Sequence, residues 1–440
     1  MVSGSWRRGG GGSGSAMSRT PTPEDAVCAA LTLFRRIGYR ATTMEAIAAA
    51  AGVTSDVLRE LYRSKEEILR DLAEECGADV VRHAGRLGTV EADRAGLDEL
   101  RVWIAGLSSV VHRRSTAMRM WLMVDEAERE LRQSVLRTLS SFAETLRPRF
   151  EKLDTGSVDP GVLAIAVLTL VAWAQLTRAA QMPGIDESVV DDHLAVLVGN
   201  TLLPDLPRPT WQPPPTPAPH DEITPRRRSR QGLPALPEPS TGLVGLRRAA
   251  RTSRAEYVVD RTLTAAVDVI RRQGYGATSV GEIITVAGLP RASFSAFWPD
   301  RRALLQTLTH RAALALRGPL AQLPTADTGR QDLRAWISSW LDMLVQHGPV
   351  LHLWVHESGN EIELGGLTVH LRQTALSIVD GLLPGGLPDE STERRVARVV
   401  MWALLVELPY ALCIQAELLP RSDVLDVLAL FLERAVPDRP

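Results

Sequence analysis

Two sets of side chains in this 440-residue chain have types and spacing that could carry chemistry. The first is Arg291, Ser293 and Ser295, polar residues on the open face of a short helix that the sequence predicts after a glycine turn. An arginine so placed suits a guanine edge or a phosphate. The second is His352-x-x-x-His356-Glu357, which sets two imidazoles one helical turn apart, a spacing that can hold zinc. A third ligand such as His347 or His370 is conceivable. Histidines at this spacing more often line a pocket or sit at a surface, so neither a metal nor a cofactor is expected. The sequence has no G-x-S-x-G, no phosphate-cradling glycine loop and no paired zinc-type cysteines, and it reads as a non-enzyme.

The elements that must position these residues occur twice. RRIGYRATTMEAIAAAAGVTSDVLRELYRSKEEIL lies within the stretch from Pro23 to Glu75, and RRQGYGATSVGEIITVAGLPRASFSAFWPDRRALL within that from Arg254 to Arg311. An offset of 236 superimposes Gly38-Tyr39 on Gly274-Tyr275, Ala41-Thr42 on Ala277-Thr278, Ala51-Gly52 on Ala287-Gly288, Tyr62 on Trp298 and Lys65 on Arg301. Each copy predicts helix, short helix, turn, helix. In the first, Val27, Leu31 and Phe34 recur at helical spacing up to Gly38, Thr43 caps a helix carrying Met44 and Ile47, and Thr54 caps one whose inward residues are Val57, Leu58 and Leu61. In the second, Pro290 stands where a helix can start, and Phe294 and Phe297 face inward. Two short helices joined by a glycine turn form a helix-turn-helix, the later helix sized for the DNA major groove.

The order GY-x-AT-[TS], a small-residue helix, AG-[VL], a short helix ending in an aromatic, then a leucine-rich helix, resembles the TetR family of bacterial transcriptional regulators. The resemblance implies that each reader precedes a larger all-helical domain that binds a ligand and dimerises through its last two helices. It also identifies residues near helix N-termini, where amides and hydroxyls meet phosphate, as DNA contacts: Thr42, Thr43 and Lys65 in the first copy and Thr278, Ser279 and Arg301 in the second. Capping is the plainer role of Thr43 and Ser279. The sequence departs from the family where Leu-Tyr usually stands, having Leu58-Arg59 and Phe294-Ser295; the tyrosine is a common phosphate contact, and Arg59 is a candidate substitute. Tyr62 and Trp298 read as core.

Composition sets the outer bounds. A net charge of −2 excludes a uniformly basic nucleic-acid coat, so DNA contact must come from local charge. Cys28, Cys76 and Cys413 show no C-x-x-C spacing and no signal peptide precedes them, which points to a reducing cytoplasm. The uncharged run from Gly161 to Thr177 approaches membrane-span length, but it falls where the family packs a buried dimerisation helix, so no membrane partner is expected.

The expected organisation is all-α. Residues 1–19 form a Gly/Ser-rich, disordered N-terminal segment; 20–75 the first helix-turn-helix domain; 76–203 the first helical ligand and dimerisation domain; 204–250 a Pro/Arg-rich linker; 251–311 the second helix-turn-helix domain; and 312–437 the second helical domain. The duplication extends into the helical domains, because Leu100–Ile104 (LRVWI) matches Leu333–Ile337 (LRAWI) and Trp121 matches Trp354, both at an offset of 233. Apolar helices over about 159–182, 186–203, 391–419 (bent near Pro409) and 422–435 need a partner surface. Trp103, Trp121, Trp336 and Trp354 mostly fill core, and with His352 and His356 they are candidates to wall a pocket for a small apolar ligand.

Local charge ranks the two heads. Residues 20–75 hold seven basic and ten acidic side chains, and residues 254–311 hold eight basic and five acidic, so the heads carry −3 and +3. The phosphate backbone supplies the sequence-independent part of DNA affinity, which favours the second head. The first recognition helix presents Thr54, Ser55 and Arg59 beside Asp56 and Glu60, two acids that would face a polyanion. The reading is a ligand-responsive repressor of double-stranded DNA, either an intrachain pseudo-dimer reading an asymmetric operator or a homodimer of chains. The alternative is a TetR-like scaffold whose heads have decayed.

Overall fold

A computed structural model of the chain describes residues 22–37, 39, 42–122, 129–206, 253–322, 324, 328–356, 379, 383 and 391–434. Every regular element among them is helical. The N-terminal segment 1–19, nearly all of the 204–250 linker and His370 lie outside the described residues. The chain divides into two compact units, residues 1–68 and 69–440.

The first unit contains α1 (Pro23–Ile37), α2 (Met44–Ala51) and α3 (Ser55–Leu61). Ala26, Ala30, Leu33 and Phe34 recur along one stripe of α1 and are buried with Ile47, Ala48 and Leu58. Thr43 caps α2 by accepting from the Ala46 amide at 3.2 Å, and Gly52 ends it at φ 72°, a left-handed conformation that suits glycine. Thr54 caps α3, accepting from the Val57 amide at 3.4 Å.

The division falls within α4 (Lys65–Ala84), and the second unit continues with α5 (Arg94–Arg113), α6 (Ser115–Leu122), α7 (Arg129–Phe150), α8 (Pro160–Gln181) and α9 (Glu187–Leu202). Asp159 fixes the start of α8 by accepting from the Gly161 and Val162 amides at 2.8 and 3.1 Å. Every side chain from Leu163 to Arg178 is buried. A helix apolar on all sides must be covered on all sides. Here α5, α6, α7 and α9 cover part of α8, and the second half of the chain covers another part.

That second half holds α10 (Ser253–Ala277), α11 (Val280–Ala287), α12 (Arg291–Ser295), α13 (Arg301–Ala321), α14 (Arg330–His356), α15 (Thr392–Trp402) and α16 (Arg421–Arg434). Gly274, at φ 74° and ψ 161°, interrupts α10 before its last turn. The long helix expected over 391–419 is α-helical only to Trp402 and continues as two π-helical turns, Ala403–Glu407 and Tyr410–Gln415. The physical reason sits between them. Pro409 has no N–H to give the carbonyl four residues earlier, that of Leu405, and the Trp340 indole N–H donates to this carbonyl at 2.7 Å instead.

The two halves of this unit pack through α8 and α9 on one side and α15, the first π-helical turn and α16 on the other. Polar ties border the apolar contact. Arg434 pairs with Asp154 at 2.9 Å and donates to the Thr201 carbonyl at 3.1 Å, and Arg132 donates to the Glu417 carbonyl at 3.1 Å. Among the described residues two helices are long and apolar enough to cross a membrane, Pro160–Gln181 and Thr392–Gln415, and 83% and 89% of their most apolar windows are buried.

Candidate nucleic-acid interface

In each head a glycine turn precedes the recognition helix, and one cation binds the segment that leads into the helix before that turn. Lys65 donates from Nζ to the carbonyls of Tyr39 and Thr42, both at 2.9 Å, and sits 4.6 Å from the centroid of the Tyr39 ring. Arg301 repeats this in the second copy: its Nη1 donates to the carbonyls of Tyr275 at 3.1 Å and Thr278 at 2.7 Å, with the guanidinium 4.3 Å from the Tyr275 ring centroid. Both cations are therefore engaged within their own heads, at the carbonyls that end the preceding segment, where positive charge is favourable. Tyr39 and Tyr275 belong to this anchor, and the only sequence signal for them is that the Gly-Tyr pair recurs in both copies.

The other predicted contact residues divide by burial. Thr42 and Thr278 are 1% and 2% exposed, and the Thr278 hydroxyl donates to the Gly274 carbonyl at 2.7 Å. Thr43 and Ser279 are exposed N-caps; Ser279 forms a capping box with Glu282, accepting from the Glu282 amide at 3.2 Å while its own amide donates to the Glu282 carboxylate at 3.0 Å. On the recognition helices, Thr54, Arg59, Arg291 and Ser295 are exposed, and Ser55 and Ser293 are half-buried. Tyr62 and Trp298 are buried, the Trp298 indole donating to the Thr307 hydroxyl at 3.0 Å.

Arg59 pairs with Glu45 at 2.9 Å and lies 3.8 Å from Asp56, so the basic group of α3 is surrounded by acids. Beside α12, Arg261 donates to the Ala287 carbonyl at 2.7 and 3.1 Å, capping the C-terminus of α11, a role that no local pattern around Arg261 marks.

The candidate pocket residues are spread through the two helical domains. Trp103 stacks on His83 and the two exchange side-chain to backbone hydrogen bonds, at 3.2 Å from the Trp103 indole and 2.8 Å at His83 Nε2. Trp121 is 1% exposed, Trp336 stacks on Trp340, and the Trp354 indole donates to the Thr309 hydroxyl at 3.4 Å. His352 and His356 instead converge on Glu407. His352 Nδ1 is 2.8 Å from one carboxylate oxygen and His356 Nε2 is 3.1 Å from the other. Burial alone would raise the Glu407 carboxyl, but the two imidazoles outweigh it and hold the group well below the usual carboxylate range.

The family described as bacterial regulatory proteins, tetR family, matches the chain twice, at residues 27–78 and 263–308. The matches begin 236 residues apart, 263 less 27, which is the offset at which the sequence overlays itself. Similar solved structures include the fatty acid degradation regulator FadR from Bacillus halodurans, at 15% identity and a TM-score of 0.34 over 40% of this chain and 94% of that one. SmeT, the repressor of the Stenotrophomonas maltophilia multidrug efflux pump SmeDEF, shares 21% identity with a TM-score of 0.30 over 40% of this chain and 88% of its own. Thermus thermophilus FadR, a TetR-family repressor in complex with lauroyl-CoA, shares 23% identity with a TM-score of 0.30 over 45% of this chain and all of its own, 100%. No curated protein matches. Two helix-turn-helix heads built on the same glycine turn and the same tyrosine-anchored cation, each matched by the family's own DNA-binding domain, make this chain a member of the tetR family carrying two TetR-like units.

Proposed function

We propose that the chain is a cytoplasmic transcriptional repressor that binds double-stranded DNA as a covalent pseudo-dimer and releases it when a small apolar ligand occupies a helical domain. The observation that carries this reading is the packing of α8 and α9 on α15 and α16 within one chain. In the family, that kind of contact is made between two identical chains, and it sets two recognition helices about one DNA turn apart, roughly 34 Å. A single chain with both partners would bring two unlike heads to one site and read unlike half-sites. Ligand binding would act by favouring a head spacing that no longer fits the groove.

In this reading Arg291, Ser293 and Ser295 read bases or phosphates in the second half-site, and Thr54, Ser55 and Arg59 do so in the first. The exposed caps Thr43 and Ser279 touch phosphate. Thr42, Thr278, Lys65 and Arg301 support the heads from behind. Selection of bound sequences from a random DNA pool with the intact chain tests this: one asymmetric site with two unlike halves supports it, and a palindrome replaces it with a dimer of chains that uses one head each. Arg291→Ala should weaken binding and shallow its salt dependence by about one counterion.

A second reading is favoured by one observation, the acid-flanked Arg59 of α3. In it the first head no longer reads DNA, and the chain is a ligand-binding or interaction scaffold with at most one working reader. An absence of any enriched sequence in the same selection would favour it.

A further inference from the structure

We propose that His352, His356 and Glu407 are the protein ligands of one divalent transition-metal ion of the zinc class, buried between the two halves of the second unit. The inference goes beyond the repressor reading and stands whether or not either head binds DNA.

The donor set and its geometry carry it. His352 and His356 are four residues apart on α14, the spacing with which two imidazoles on one helix face clamp zinc. Glu407 comes from a separate element, and the ligand atoms of the three residues all lie within 4.8 Å of one another. A tetrahedral zinc ion, bonded at about 2.0–2.2 Å, spaces its ligand atoms about 3.3–3.5 Å apart. The imidazole nitrogens lie 2.8 and 3.1 Å from different oxygens of the one carboxylate, and the donors, now within 4.8 Å of one another, would rearrange to this spacing around an ion. Two nitrogens and one carboxylate suit zinc-class ions and not magnesium or calcium, which prefer all-oxygen shells.

The surroundings hold the donors in place. The Trp402 indole donates to Glu407 Oε1 at 2.8 Å, a hydrogen bond of the kind that orients a ligating carboxylate. Glu407 ends a π-helical turn, a local distortion common at functional sites. From the first half of the chain, the Thr177 hydroxyl lies 3.4 Å from His356 Nε2, an oxygen beside the fourth coordination position. Trp173, also from α8, sets its ring 5.2 and 5.0 Å from the two imidazoles and closes the site. Shifting the two histidines by the 233-residue offset that aligns Trp121 with Trp354 places Arg119 and Met123 at the corresponding positions of the first half, so the histidine pair is not a repeated feature of the duplication.

The side chains of the three residues are 10%, 1% and 0% exposed, so the ion must be supplied while the chain folds. The test is to unfold the intact protein in chelator, refold it with Zn²⁺ or Co²⁺, and measure metal content, the visible d–d bands of cobalt and the X-ray absorption of zinc. One equivalent per chain, a four-coordinate cobalt spectrum and a shell with two imidazoles and a carboxylate oxygen are expected. Glu407→Gln and, separately, His356→Asn should each lower metal content at least tenfold in folded protein. Folded wild-type chain that binds under a tenth of an equivalent, or binds through another ligand set, overturns the proposal and leaves a metal-free ion triad. Should the variants fail to fold, the wild-type stoichiometry and ligand shell decide alone.

Discussion

The guanidinium of Arg301 lies 4.3 Å from the centre of the Tyr275 ring while its Nη1 donates to the Tyr275 and Thr278 carbonyls. Lys65 does the same with Tyr39 and Thr42 in the first copy. Arg301→Ala should therefore loosen the second head by about 1–3 kcal/mol, the sum of lost charge-assisted hydrogen bonds and a cation–π contact. Arg301→Lys should recover most of that loss, since the first copy uses lysine. Hydrogen exchange of residues 253–311 reads both; equal protection in wild type and the alanine variant would show that the anchor contributes nothing.

Asp56 and Glu60 are exposed on α3, beside Arg59. Replacing both with Asn and Gln removes two negative charges from the presented face. Affinity for a non-specific duplex at about 50 mM salt should rise roughly 3- to 10-fold, and the gain should vanish at high salt. No change would mean that α3 does not approach DNA.

Gly348 leaves room for the Tyr410 ring, which stacks on His352 at 5.3 Å between centroids. A Cβ at position 348 would meet the Tyr410 Cδ2 at 2.9 Å. Because that ring is 1% exposed, it cannot swing into solvent, and Gly348→Ala should destabilise the protein by about 1–3 kcal/mol. Gly318→Ala, where an added Cβ meets nothing within 4 Å, is the control and should be neutral or stabilising. Denaturation midpoints of the two variants compare them directly.

Asp191 is buried among Ser108, which donates to it, and Gln175, whose amide donates at 2.8 Å. Burial pushes its carboxyl up to about 6 from an ordinary 3.8. Between these values the folded chain holds a proton that the unfolded chain has lost, so stability falls as pH rises through the window, by up to about 3 kcal/mol. Asp191→Asn keeps the hydrogen-bond acceptor and should remove this component. Stability measured at about pH 4 and pH 7 should drop less in the variant than in wild type; parallel losses would refute the assignment.

The helix order, the glycine turns and the capping residues Thr43, Thr54 and Ser279 were legible in the sequence, because each rests on a local rule that acts within a few residues. The duplication was legible because both copies kept the same turn. The engagement of Lys65 and Arg301 was not, since their acceptors are backbone carbonyls more than twenty residues away, and carbonyls leave no mark on sequence. Glu407 was missed for a related reason. It lies 51 and 55 residues from its histidine partners, and Pro409 unsettles the helix periodicity that would have shown which way it faces.

The contact of α8 and α9 with α15 and α16 lies within one polypeptide. It therefore forms at any dilution, where a contact between separate chains dissolves as copy number falls. It is also written once in the gene. In a symmetric dimer a substitution at the shared surface is made on both sides at once, and a new charge meets its own image across the axis. Here each side changes alone, so two histidines against a buried carboxylate can arise in one half while the positions that match those histidines in the other are arginine and methionine.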